Sequence, residues 1–143
     1  MKKMNRRQSA ILNAWPMLAL AGLLLCGGRS WAAGAAEKRA FAAAVKSFDG
    51  GWWDIAEKEF GEFAQKYPKS EYRPEAILRQ AQARYKQRNS TGAAELLTGN
   101  LNRAGKLADE YQFCVAEAWY QGSNYLAAAE AYALVAKNFP GSK

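Results

Sequence analysis

Histidine is absent from the 143 residues. Its absence removes the side chain most often used for proton transfer near neutral pH, and the commonest metal ligand. Cysteine is scarce too, occurring only as Cys26 and Cys114, so no Cys-rich metal clip or disulfide framework can form. There is no glycine-rich phosphate loop after a strand, and no nucleophile with a recognisable base beside it. No acid precedes Glu37. No stretch alternates convincingly with the period of two that marks a strand. The sequence therefore predicts an all-helical protein with no catalytic, metal or cofactor site. Its densest acidic group, Glu57, Glu59 and Glu62, reads as the solvated face of a helix.

What is present begins with a leader. Lys2, Lys3, Arg6 and Arg7 precede the apolar run from Pro16 to Cys26, which Gly27 and Gly28 bound. That run suits a secretory signal of about 7 to 15 apolar residues better than a spanning helix of about 20. Small residues at Ser30 and Ala32 favour cleavage after Ala32, making 1–32 a signal peptide and 33–36 a short linker. Lipid attachment at Cys26 is the alternative, although Leu25 is bulky where such a motif takes a small residue. The Arg6-Arg7 pair lacks the apolar residues that twin-arginine export requires after it. Exported protein of this kind resides in the periplasm or at the outer membrane.

Without 1–32, the net charge falls from +7 to +2, since all five charges of that segment are basic. The remaining surface is mixed in sign, which argues against a nucleic-acid partner. With Cys26 removed, Cys114 has no partner for an internal disulfide. It sits in an apolar helical run, where cysteine acts as a small hydrophobe.

From Glu37 onward the apolar residues recur with helical spacing. Phe41, Ala44, Val45 and Phe48 mark a first helix, which Asp49-Gly50-Gly51 stops. Ile55, Ala56, Phe60, Phe63, Ala64 and Tyr67 mark a second, ended by Pro68. Pro74 opens a third, with Ile77, Leu78, Ala81 and Tyr85 on its buried face. Ser90 or Thr91 is placed to cap a fourth, carrying Ala93, Ala94, Leu96, Leu97 and Leu101. Asn100, Asn102 and Gly105 make the end of that helix the weakest in the chain. Leu107, Tyr111, Cys114, Val115, Ala118 and Trp119 form the stripe of a fifth. After Gly122-Ser123-Asn124, a sixth carries Tyr125, Ala128, Ala129, Tyr132, Val135 and Phe139. Turns this short make each pair antiparallel.

The pairs repeat. Phe48, Tyr85 and Tyr120 are separated by 37 and then 35 residues, as are Ala56, Ala93 and Ala128, and Phe60, Leu97 and Tyr132. A period of this length with two helices per unit marks a helical solenoid whose hairpins must stack to bury their faces. An aromatic closing the first helix, a small residue at the crossing, a large apolar residue four places on and a closing proline resemble the tetratricopeptide repeat family. Those residues are Tyr120, Ala128, Tyr132 and Pro140 in the last unit, and Phe48, Ala56, Phe60 and Pro68 in the first. The middle unit departs from the pattern, with Gly105 where proline is expected, and Ala40 stands where the family often has tryptophan. Repeats fall at about 37–70, 71–105 and 106–143 in a domain of 37–143. The phrases around Pro68 and Pro140 are similar to those of envelope repeat proteins of the outer-membrane assembly and Tol–Pal partner types.

The resemblance implies a right-handed superhelix that binds a protein or peptide of the cell envelope in the groove lined by the first helix of each pair. Phe41, Leu78 and Phe113 are the equivalent groove residues, with Arg79, Gln82, Lys86 and Glu117 as polar neighbours. The clamp that some members use for a terminal carboxylate is not expected, because Phe41 and Val45 stand where its Lys and Asn would. Two other roles stay open: a scaffold that self-associates through its last hairpin, and an accessory subunit of an envelope enzyme. Residues 140–143 match the junction after Tyr67, where another helix begins, so the reading expects a truncated chain or a last hairpin covered by a partner. Trp53 aligns with Tyr125 as a packing residue, and Trp52 is expected to cover a neighbouring helix.

Overall fold

The computed structural model describes the backbone of residues 19–142, with side chains from Gly34 onward. Among the described residues there are six α-helices and no strand: α1 (Ala19–Asp49), α2 (Trp53–Lys66), α3 (Arg73–Lys86), α4 (Ser90–Asn100), α5 (Ala108–Gln121) and α6 (Tyr125–Asn138). The chain divides into two compact units, 1–36 and 37–143. In the first, the backbone is helical from Ala19, including 33–36, where the sequence suggests a linker. Cys26 and the cleavage position Ala32 lie outside the described side chains. No helix among the described residues is long and apolar enough to cross a membrane.

In the second unit, consecutive helices pack as antiparallel neighbours, and α3 also touches α5 directly. The same turn joins the helices of each pair. Gly51, Arg88 and Ser123 take left-handed backbone angles, with φ of 76°, 66° and 61°, and they stand in the 37 and 35 spacing. After each, an N–H reaches back to close the preceding helix: Trp52 to the Ser47 carbonyl at 3.0 Å, Asn89 to Arg84 at 3.0 Å and Asn124 to Trp119 at 2.9 Å. This six-residue closure satisfies a carbonyl that the helix end would otherwise leave unpaired. Only the first of the three turns uses glycine at the left-handed position.

The residue after that turn caps the next helix. Asn89 and Asn124 accept hydrogen bonds from the N–H groups of Gly92 at 3.1 Å and Ala127 at 3.2 Å. The cap of α4 is thus Asn89, whereas the sequence suggests Ser90 or Thr91; Ser90 lies inside the helix and is buried. Trp52 holds the equivalent place before α2 and makes no side-chain cap bond. Its ring lies beside Gly50 at the end of α1, and the residue is 55% exposed.

Two clusters form the core. Ala44, Ala56, Phe60, Phe63, Ala76 and Ala83 join α1, α2 and α3. Ile77, Leu78, Ala81, Ala93, Ala94, Leu97, Tyr111 and Ala118 join α3, α4 and α5. At each helix crossing a buried alanine allows close approach: Ala56, Ala93 and Ala128 on the second helices, and Ala44, Ala81 and Ala116 on the first. A larger side chain at these points would hold the ridges of one helix out of the grooves of the next.

Polar side chains set the register between layers. Arg84 donates to Glu57 at 2.6 Å and to the Gly92 carbonyl at 3.2 Å, tying α3 to both α2 and α4. Gln87 donates to the other oxygen of Glu57 at 2.8 Å. The Ser47 hydroxyl donates to Glu59 at 2.6 Å. Of the acidic face expected in solvent, only Glu62 stays there, while Glu57 and Glu59 are half-buried and serve interhelical bonds. Leu101, which the sequence places on the fourth helix, falls just beyond it. α4 stops at Asn100 and gives way to two 3-10 turns, Leu101–Arg103 and Gly105–Leu107.

Candidate functional site

The last pair, α5 and α6, presents its apolar stripe to a cleft of about 880 Å³, whose far wall is Gln82 and Tyr85 of α3. The floor forms because helical spacing brings Phe113 of α5 and Tyr132, Val135 and Ala136 of α6 to one side, with Phe139 just beyond α6. Phe113 meets Tyr132 edge to face at 5.9 Å. Asp109 and Glu110, adjacent in the first turn of α5, and Glu117, about two turns further on, rim the cleft. None of the three is in an ion pair among the described residues.

The polar groups at the rim are ordered by each other. The Tyr132 hydroxyl donates to the Glu117 carboxylate. Desolvation, and then the hydrogen bond and charge of Glu117, push the Tyr132 phenol up to about 12. The Ser142 hydroxyl donates to Asp109 at 2.9 Å, and that bond holds the Asp109 carboxyl below its usual value. Cys114 lies 3.7 Å from the Gln82 amide nitrogen across the α3–α5 contact. Burial pushes its thiol up, against the Gln82 hydrogen bond, so the sulfur stays protonated and a poor nucleophile at neutral pH. Among the described residues no group of three or more Cys, Asp or Glu is placed to hold a metal ion.

The seven residues expected along a groove separate into two sets. Gln82, Phe113 and Glu117 line the cleft. Phe41 and Leu78 are taken up by packing. Phe41 stacks on Tyr72 at 5.0 Å and lies 5.4 Å from Phe63, and Leu78 is 4% exposed in the core. Arg79 donates to Glu75 at 2.9 Å and lies over the Phe48 ring at 5.5 Å. Lys86 is exposed and lies over its neighbour Tyr85 at 5.4 Å. Val135 and Phe139 were recognisable in the sequence as part of the α6 stripe.

The spacing that aligns the units explains the shape of the cleft. Phe113, Tyr132, Val135 and Phe139 each lie 72 residues after Phe41, Phe60, Phe63 and Tyr67. On the first pair, those aromatic residues receive Tyr72 and Ala76 at the start of α3. On the last pair Phe113 is 48% exposed, while Tyr132, Val135 and Phe139 are half-buried.

This arrangement defines the class of protein: an all-α array of stacked helical pairs, each packed on the next. Comparison with models of known protein families gives no match for the chain, and comparison with curated proteins gives none either.

Proposed function

We propose that the chain is a non-catalytic protein-interaction module of the tetratricopeptide type, working in a bacterial cell envelope. In this reading its pairs wind as a right-handed superhelix, and a protein or peptide docks in the cleft of the last pair. The observation that carries it is the aromatic floor of Phe113 and Tyr132, open in a position whose counterpart on the first pair is filled by a helix. Open aromatic surface of this kind, rimmed by charge, is characteristic of interaction sites. Export rests on the basic, then apolar, leader and the small residues up to Ala32.

A photo-reactive phenylalanine analogue placed at position 113 should cross-link a defined envelope protein. The same group at exposed Thr98 should not. Equal labelling from both positions would overturn the docking role. Mass spectrometry of the mature protein should give an N-terminus at Ala33; a lipid at Cys26 or an intact leader would overturn cleavage.

A second reading is favoured by a separate surface. Tyr125, Leu126 and Leu134 of α6 are exposed, Leu126 by 74%, and such a surface suits a self-associating scaffold. Size-exclusion chromatography across a concentration range should then reveal a dimer that Leu126→Glu removes. A monomer at every concentration rejects that role.

A further inference from the structure

Stacking brings together segments that are far apart in the chain, and the second unit gathers them at two edges. The turns within pairs form one edge. There the Gln87 amide donates to the Trp53 carbonyl at 3.3 Å, and a Cβ on Gly122 would stand 3.1 Å from that of Ser90. The junctions between pairs form the other. Ser70 donates to Glu37, the Tyr111 hydroxyl to the Pro74 carbonyl at 2.7 Å, and Asn138 to Gln112 at 3.3 Å. These bonds bring 37–39, 66–72, 101–110 and 137–142 to the junction edge.

Charge divides unevenly between the two edges. Lys38 and Arg39 follow Glu37 on α1, and Lys66 and Lys69 stand on either side of Pro68. Arg103 and Lys106 belong to the two 3-10 turns, and Lys137 to the last turn of α6. All seven are exposed, and none is in an ion pair among the described residues. The same segments hold four acids, leaving +3. Two of the four, Glu37 and Asp109, accept hydrogen bonds from Ser70 and Ser142; Glu71 and Glu110 are the others. On the turn edge, 49–55, 86–92 and 120–126, Asp49 and Asp54 balance Lys86 and Arg88. Since 37–143 carries +2 in all, everything outside the junction edge sums to −1. The small net charge of the sequence therefore conceals a basic edge.

We infer that the junction edge docks on an anionic lipid surface, with its Lys and Arg side chains against the phosphate headgroups. A row of exposed cations spread over all three pairs matches a planar array of phosphates better than a single anion. Each cation held near such a surface strengthens attachment about fivefold. The contact is with headgroups, because Tyr67 and Tyr72 on this edge are taken up by the first core cluster. For the same reason the edge offers no aromatic platform of the kind that binds single-stranded nucleic acid. This surface is separate from the cleft of the last pair, and the inference does not rest on the docking role proposed above.

The test uses the full chain and vesicles of phosphatidylcholine with or without about 30% phosphatidylglycerol. The apolar run from Pro16 to Cys26 can enter a bilayer by itself, so the measurement is where the folded unit touches lipid. A photo-reactive phenylalanine analogue replaces exposed Asn102 on the junction edge, or exposed Thr91 on the turn edge. Position 102 should cross-link to lipid when phosphatidylglycerol is present. The yield should fall roughly tenfold without it, or in about 1 M salt, where the screening length is only about 3 Å. Position 91 should give little lipid adduct in any of these conditions. Lys69→Gln, Arg103→Gln and Lys106→Gln together should lower the yield at 102 at least about tenfold. Lys58→Gln, Lys86→Gln and Arg88→Gln together remove the same charge elsewhere and should leave it within about twofold. Circular dichroism should show both variants folded; if either is not, the lipid and salt dependence of the chain without these changes decides. Equal yields from positions 102 and 91, indifference to phosphatidylglycerol, or equal losses in the two triple variants would overturn the inference. Full protection of position 102 by a single-stranded oligonucleotide at the same salt would make the edge a nucleic-acid contact and overturn it too.

Discussion

Tyr111 is a polar side chain at full burial, tolerated because its hydroxyl donates to the Pro74 carbonyl at 2.7 Å. Burial pushes its phenol up to about 12, with the Arg73 charge working in the other direction. An unfolded tyrosine ionises near pH 10. Above that pH the unfolded chain releases a proton that the folded chain still holds. The contribution to stability is therefore complete below about pH 10 and is lost as pH rises toward 12. Thermal melts should show a decline above about pH 10 that becomes shallower in Tyr111→Phe, with Tyr132 contributing the remainder of the raised-phenol effect. At neutral pH the same variant should lose about 1 kcal/mol with its hydrogen bond. Trp52 allows a test in the opposite direction. Trp52→Asn should install the cap that Asn89 and Asn124 provide and gain about 0.5 to 1 kcal/mol in urea unfolding. Asn89→Ala should lose about 1 kcal/mol.

Helical elements were legible because their apolar residues recur every three or four positions, and the turns because glycine, asparagine and serine cluster there. Less legible was which of several polar neighbours would cap. Asn89, Ser90 and Thr91 all have suitable side chains, and the choice fell to Asn89 because the left-handed backbone of Arg88 closes α3 and α4 begins at Ser90, leaving Asn89 as the residue before it. Glu57 and Glu59 were misread as solvated for a related reason. Their partners, Arg84 and Ser47, are distant in sequence and come together only across the helix pairs. The crossings were clear from the repeat, and they make a firm prediction. Ala128 is 2% exposed, so Ala128→Leu should overpack the α5–α6 contact and cost about 1 to 3 kcal/mol. An unchanged melting temperature would count against the alignment of the units.

Across the whole second unit, burial is uneven. Ala128 and Ala131 are the buried residues of α6, whereas α3 buries five. In a stack of this kind each element is held mainly by its nearest neighbours, so the helix with the least buried face should open first. Hydrogen exchange should show the weakest protection along α6 among α2 to α6. A partner seated in the cleft should raise that protection selectively, and uniform protection across α2 to α6 would contradict the burial pattern.

The sequence by itself determined the all-helical class, the number of pairs and their register, because those follow from local periodicity and from a repeated spacing. Only the tertiary structure decided which aromatic side chains are free. Phe41, Leu78 and Phe113 are equivalent by spacing, yet the first two are consumed by packing while Phe113 opens onto the cleft. A repeat makes residues alike in sequence, but exposure depends on whether a neighbouring helix fills the seat.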